Sequence, residues 1–274
     1  MLNYIVLDGG VKMPQIGLGV FRNPVGKDTQ NAVRWALEVG YRHIDTAKAY
    51  KNEYDVGLAI KESSVKRKDI FLTTKIYNEE VRSLQTEEAL KKSLELLQTD
   101  YLDLYLIHWP AEGRVETFKK MIKLRDKNKI RAIGVSNFTI SQIKELKEKT
   151  SIFPAVNQIE VHPYLVNQDV VSFCQDNEIV VTAYKPIGGG DGDLLQNDIL
   201  IEIGKTHKKS PAQIVLRWGI QRNCIVIPKS IHKDRIIENF NIFDFELSKE
   251  EMKRISNLNK NLRYLSHPDE FPFD

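Results

Sequence analysis

The stretch YLDLYLIHWPAEGRVETFKKMIKLRDKNKIRAIGVSNF, Tyr101 to Phe138, decides the fold. It opens on an apolar run, Leu102 to Ile107, and closes on a second, Ile130 to Val135. Val115 to Asp126, between them, reads as an amphipathic helix. Each run is too apolar for a half-exposed antiparallel strand. Two strands buried on both faces and joined by a helix predict a parallel βαβ unit.

The unit repeats in both directions. Further runs lie at Gln15–Leu18, Arg42–Asp45, Ile70–Thr74, Ala155–Ile159, Ile179–Ala183 and Cys224–Ile227. Helical stretches accompany them at Asn31–Val39, ended by Gly40, and at Thr86–Leu97, Ile140–Lys147 and Pro211–Gln221. Tyr4 to Met13 reads as a hairpin turning at Asp8-Gly9-Gly10. Eight runs alternating with helices in 274 residues predict a (β/α)8 barrel of the usual size, about 250 residues. The hairpin would cap it and extra helices would follow at the C-terminal end. No Pro/Gly/Ser linker or shift of composition divides the chain, so residues 1–274 read as one domain.

Hydrophobic residues make up 42% and charged residues 28%, as in ordinary soluble proteins. The net charge of +3, 40 basic against 37 acidic residues, is spread with the signs interspersed. Lys66-Arg67-Lys68 is followed at once by Asp69, so no nucleic-acid partner is implied. Cys174 and Cys224 lack metal or redox spacing and fit a reducing compartment. Met1 to Asp8 has no secretory pattern, and no apolar run approaches the roughly 20 residues of a membrane span. The expectation is a cytoplasmic protein without membrane attachment.

A barrel carries its chemistry at the carboxyl ends of its strands. The polar residues there are Asp45, Lys75, His108, Ser136 with Asn137, Gln158, Tyr184, and Lys229 with Ser230. Tyr50 follows Asp45 by one short loop. A carboxylate beside Lys75 keeps the ammonium charged, and the ammonium stabilises tyrosinate. This predicts a Tyr50 pKa below its ordinary value of about 10. With His108 as a second donor, the group suits protonation of an alkoxide as it forms; it holds no electron source. Gly188-Gly189-Gly190-Asp191-Gly192 is not a Walker loop and reads either as a flexible loop or as one covering a cofactor. No GxGxxG follows the first run, which disfavours a Rossmann domain. Two other barrel chemistries compete: a Schiff-base aldolase on Lys75, and a metal-dependent hydrolase on His108 and Asp45. The hydrolase would want an HxH pair, which the sequence lacks.

Six motifs then align in order. They are Asp45-Thr46-Ala47 with Tyr50, Asn52 and Glu53; Thr74-Lys75; Leu106-Ile107-His108-Trp109-Pro110; Gly134-Val135-Ser136-Asn137-Phe138; Asn157-Gln158-Ile159-Glu160; and Ile227-Pro228-Lys229-Ser230 with Arg235, Glu238 and Asn239. Together they resemble the aldo-keto reductase family from about Val11 to Phe273, especially its smaller bacterial and protist members, 2,5-diketo-gluconate reductases and prostaglandin F synthases among them. The resemblance implies an oxidoreductase that reduces aldehydes or ketones with hydride from NADPH. Tyr50 would be the general acid, Lys75 and Asp45 would tune it, and His108 would orient the carbonyl. Ser136, Asn137 and Gln158 would bind the nicotinamide carboxamide, and Tyr184 would stack on the ring. Lys229, Ser230 and Arg235 would grip the 2′-phosphate, a charge match that favours NADPH over NADH. Glu238 and Asn239 would meet the adenine.

Departures from the family pattern carry their own expectations. Lys185 stands where serine is common, and would either pair with the cofactor pyrophosphate or point away. Phe21 replaces a common tryptophan and would form an aromatic wall with Trp109. The short segments Ala111–Val115 and Gly188–Gln196 imply an open pocket and a broad choice of small carbonyl substrates. The resemblance implies a monomer; its competing reading is a protein that binds the nucleotide without efficient turnover. His43 and His162 read as structural, and His207, His232 and His267 as surface residues. Cys174 and Cys224 read as inert buried thiols, and Tyr101 and Tyr105 as packing residues.

Overall fold

The computed structural model describes residues 3–190 and 192–271. Met1, Leu2, Asp191 of the glycine tract and the tail that includes Phe273 lie outside the described residues. Strands β1 (Tyr4–Val6) and β2 (Lys12–Pro14) pair antiparallel across Asp8-Gly9-Gly10, as expected. Eight parallel strands follow in sequence order: β3 (Leu18–Gly19), β4 (His43–Asp45), β5 (Phe71–Ile76), β6 (Leu102–Ile107), β7 (Ile130–Ser136), β8 (Val156–Glu160), β9 (Val180–Tyr184) and β10 (Ile225–Val226). The sheet curls until its two edges meet: Ile16 bridges Val226, and Gly19 bridges Lys229.

Helices α1 (Lys27–Val39), α2 (Glu53–Glu62), α3 (Asn78–Arg82), α4 (Thr86–Leu97), α5 (Arg114–Asp126), α6 (Ile140–Thr150), α7 (Gln168–Asp176), α8 (Asp198–His207), α9 (Pro211–Gln221), α10 (Lys233–Phe240) and α11 (Lys249–Ser256) cover it. None of the described helices is long and apolar enough to cross a membrane. Beyond one helix per strand, α3 and α8 are inserted and α11 follows α10. The first helix begins at Lys27, four residues ahead of the expected Asn31. The reason is tertiary: Asp55 accepts hydrogen bonds from the Gly26 N–H at 2.8 Å and Gln30 Nε2 at 2.7 Å, capping α1 from α2. Gly26, at φ 95°, makes the turn that lets its amide face that carboxylate.

Alternation along each strand sorts side chains into two cores. Ile44, Leu72, Tyr105, Ile107, Ile133, Val135, Ile159, Val181 and Ala183 face outward and pack with the helices. Phe71, Leu104, Leu106, Ala132, Val156, Ile225 and Ile227 face inward and pack with Leu7, Val11 and Met13 of the hairpin. The hairpin thereby closes the amino end of the sheet. On the inward parity, those apolar residues give way to Asp45, Lys75, His108, Ser136, Gln158 and Tyr184 at the carboxyl end. His43, one inward layer below Asp45, is fully buried, and its ring fills the space that a side chain at Gly17 would need.

Candidate active site

The inward, carboxyl-end residues converge. Lys75 is not past the end of its strand as expected; β5 runs on to Ile76, and Lys75 is completely buried within it. Its Nζ donates to Asp45 Oδ1 at 2.5 Å and to the Thr46 carbonyl at 2.8 Å, and reaches the Tyr50 hydroxyl at 3.4 Å. Gln158 Nε2 reaches across the interior to donate to Asp45 Oδ2 at 2.7 Å, so both carboxylate oxygens are engaged. Tyr50 ends a short 3-10 turn, Lys48–Tyr50, held from two sides. Lys48 pairs with Glu80 on α3. Behind the turn, Thr46 Oγ1 donates to Asn52 Oδ1 at 2.8 Å, and Asn52 Nδ2 donates to the Val20 carbonyl at 3.0 Å. The Tyr50 and His108 rings lie 5.6 Å apart at 77°, and Tyr77 meets His108 edge-on at 5.9 Å.

Burial dominates the protonation of these groups. It pushes the Tyr50 phenol well above its ordinary pKa of 10, and the Asp45 charge pushes the same way. The expected downward tuning by Lys75 is therefore overturned: desolvating a phenolate outweighs an ammonium at 3.4 Å. Burial also works to lower the Lys75 ammonium, against Asp45, which works to raise it. His108 is held well below its usual value by burial and then by Lys75. At neutral pH the rim thus presents a protonated phenol and a neutral imidazole.

With the exception of Lys75, every residue assigned to the site from sequence lines one cavity of about 840 Å³. Ser136 Oγ donates to the Gln158 carbonyl at 2.9 Å. Asn137 Nδ2 donates to the His108 carbonyl at 3.0 Å, and Asn137 Oδ1 accepts from the Tyr184 hydroxyl at 2.7 Å. These bonds set the Tyr184 ring beside the Asp45–Lys75–Tyr50–His108 end; Gln158 Oε1 accepts from no described residue and can meet an amide N–H. At the other end lie Lys229, Ser230, Arg235, Glu238 and Asn239, with the N-termini of α9 and α10. Ser230 Oγ accepts the His232 N–H at 3.0 Å, and His232, the N-cap of α10, makes no side-chain cap of its own. Desolvation, and then the nearby Arg22 charge, push the Lys229 ammonium below its usual value. A phosphate dianion at these cations and helix N-termini would relieve that repulsion.

Sequence reading missed several lining residues: Arg22, Tyr77, Ser210, His232, Leu265 and Phe271. Tyr77 was findable, since it continues the inward parity of Lys75. His232 is exposed as expected, but it stands on the cavity edge. His207 is not a bare surface residue; it bonds Glu251 Oε1 at 2.8 Å. The open pocket expected from short loops is partly closed, because Leu265 and Phe271 bring the C-terminal segment over it. Phe271 stacks on Trp109 at 3.9 Å and 16°, while Phe21 packs on Tyr50 at 5.0 Å. Lys185 lines the cavity with its ammonium 5.5 Å over the Tyr264 ring.

His43 and His162 are buried and hydrogen-bonded, to Thr73 and Glu160 respectively. Burial pushes the thiols of Cys174 and Cys224 up to about 11, so both are inert at neutral pH.

The sequence profile of the aldo/keto reductase family matches residues 15–260. The chain belongs to the aldo/keto reductase family. Two relatives resemble this family member over nearly its full length. A 9,11-endoperoxide prostaglandin H2 reductase of Trypanosoma cruzi is 48% identical, covering 98% of this chain and 96% of the relative. A glyoxal reductase of Bacillus subtilis is 47% identical, covering 98% and 97%. Among solved structures, an aldo-keto reductase enzyme from a Medee basin deep-sea metagenome library superposes with a TM-score of 0.93 at 43% identity, covering 97% of this chain and 98% of that one. Aldo/keto reductases reduce carbonyl compounds and in general use nicotinamide cofactors. The curled parallel sheet and its helices are the fold this family member shares with those structures.

Proposed function

We propose that this chain reduces aldehydes or ketones to alcohols with NADPH, Tyr50 serving as the general acid. The observation that carries the reading is one cavity joining the Asp45–Lys75–Tyr50–His108 cluster to a cationic end at Lys229 and Arg235. When bound, NADPH supplies the hydride. Lys229 and Arg235 favour the 2′-phosphate by charge, and Ser136, Asn137 and Gln158 present the donors and acceptors that a carboxamide requires. Tyr184 offers a flat face, and Glu238 and Asn239 border the space left for adenine.

The Tyr50 hydroxyl holds its proton through the whole neutral range and delivers it to the carbonyl oxygen as negative charge develops there. Lys75 Nζ, in reach of the phenol oxygen, stabilises the tyrosinate left behind, and Asp45 fixes the ammonium. The neutral His108 orients the carbonyl. Phe21, Trp109 and Phe271 exclude water around a small carbonyl substrate. Lys185, on the cavity wall, pairs with the pyrophosphate in this reading and slows cofactor release.

The edge bridges Ile16–Val226 and Gly19–Lys229 support reading the curled sheet as a closed (β/α)8 barrel, and residues 1–274 as one domain. The two free, buried cysteines favour a cytoplasmic setting, and we propose a monomer there. Following NADPH absorbance with a panel of small aldehydes and α-dicarbonyls tests the activity. Tight NADPH binding with no turnover across the panel would replace this reading with a nucleotide-binding protein.

A further inference from the structure

Glu160 ends β8 on the inward parity with its carboxylate wholly buried, and no step described so far uses it. We propose that Glu160 is a positioning residue for substrate size, latching the C-terminal segment in the register that puts Leu265 and Phe271 on the pocket wall. The inference rests on the reductase reading of that pocket.

The geometry is specific. Glu160 Oε1 accepts the Tyr264 N–H at 2.7 Å and Oε2 accepts the Leu265 N–H at 3.1 Å. His162 Nε2, also completely buried, meets Oε1 at 3.0 Å. Two successive amides converging on one carboxylate form a small anion-binding concavity made of main chain. Such charge-assisted bonds are roughly twice as strong as neutral ones. A one-residue slip of the segment would leave a buried carboxylate short of donors, which is strongly unfavourable. The carboxylate therefore selects one register.

What it selects lies beside the chemistry. Leu265, held by its own amide, lines the cavity, as do Ser266 and Phe271 a few residues on. Phe271 covers the Trp109 ring in a near-parallel stack. The preceding residue, Tyr264, packs against His162 at 5.0 Å and against the glycine loop at Gly188 and Gly192. The Glu160 carbonyl accepts Asn167 Nδ2 at 2.7 Å, which fixes the loop after β8 around the same point.

The test compares Glu160→Gln with the natural protein for kcat, for KM with methylglyoxal and with para-nitrobenzaldehyde, and for NADPH Kd by fluorescence quenching. Losing one charge-assisted bond should raise KM for the aromatic aldehyde about five- to tenfold. The other three quantities should stay within about twofold, since the reacting groups are untouched. In a Phe271→Ala background, Glu160→Gln should add nothing further, because both act through one wall. An equal change for both aldehydes, no change for either, or full additivity with Phe271→Ala would overturn the proposal.

Should Glu160→Gln fail to fold, hydrogen exchange on the natural protein reads the same bonds. The Tyr264 and Leu265 amides must be protected, and fast exchange at both refutes the latch. If the natural protein turns over neither aldehyde, it is the reductase reading that fails, and hydrogen exchange still decides the latch.

Discussion

Replacing Lys75 by methionine separates the structural from the chemical role of the buried ion pair. Asp45 is 2% exposed and Lys75 is 0% exposed, and they meet at 2.5 Å. Lys75→Met removes the cation and leaves the Asp45 carboxylate in the interior with Gln158 Nε2 as its remaining donor. Removing one partner of a buried pair costs about 3–5 kcal/mol. The Thr46 carbonyl also loses its 2.8 Å donor, which accounts for about 1 kcal/mol of that. In Asp45→Asn/Lys75→Met the buried charge is gone and the amide oxygen at position 45 can still accept from Gln158, so the total cost should shrink to about 1–2 kcal/mol. Urea unfolding of the four proteins in the cycle measures both quantities. Turnover should be lost in both variants carrying Lys75→Met, because Tyr50 loses the group facing its hydroxyl. If the double variant proves as unstable as Lys75→Met alone, the cost does not come from a stranded Asp45 charge. If it regains turnover together with stability, Lys75 is a structural residue only.

Tyr50→Phe should lower carbonyl reduction by about 10²–10⁴-fold and leave NADPH affinity nearly unchanged; undiminished turnover would remove the proton donor from Tyr50. Arg235→Ala and Lys229→Met should weaken NADPH binding by about tenfold or more while leaving NADH binding nearly as it was, because only the 2′-phosphate uses those charges. Equal losses for both cofactors would place the cations elsewhere. Stability should fall in acid through His43, whose imidazole burial holds at about 4 against a usual 6.5. The unfolded chain takes up this proton first, so the contribution is complete above pH 6.5 and disappears as pH falls towards 4. Between those limits it amounts to roughly 3–4 kcal/mol, from 2.5 pH units at about 1.4 kcal/mol each. Urea midpoints that do not drop between pH 7 and pH 5, or a drop of undiminished size in His43→Gln, would contradict it; His108, lowered by the same burial, supplies the part that remains.

Much of the fold is local information. A strand buried on both faces reads as a mostly apolar run, and an amphipathic helix shows its period within a dozen residues. The helices Thr86–Leu97 and Pro211–Gln221 and the strand Leu102–Ile107 could thus be read to the residue. Period-two alternation extends this to the site: once the strands are placed, Asp45, Lys75, His108, Ser136, Gln158 and Tyr184 must share one end of the interior. The sequence by itself therefore determined which strand-end residues meet at the rim.

The tertiary structure decided how they meet. The hydrogen bond from Gln158 to Asp45 spans 113 positions and depends on the curl of the whole sheet. The start of α1 depends on Asp55 from another helix, and the wall at Leu265 and Phe271 on a tail that has no periodicity to read. The upward direction of the Tyr50 shift is decided the same way. Neighbouring charges can be listed from a motif, but desolvation depends on every atom that covers the group, and those atoms come from the entire chain.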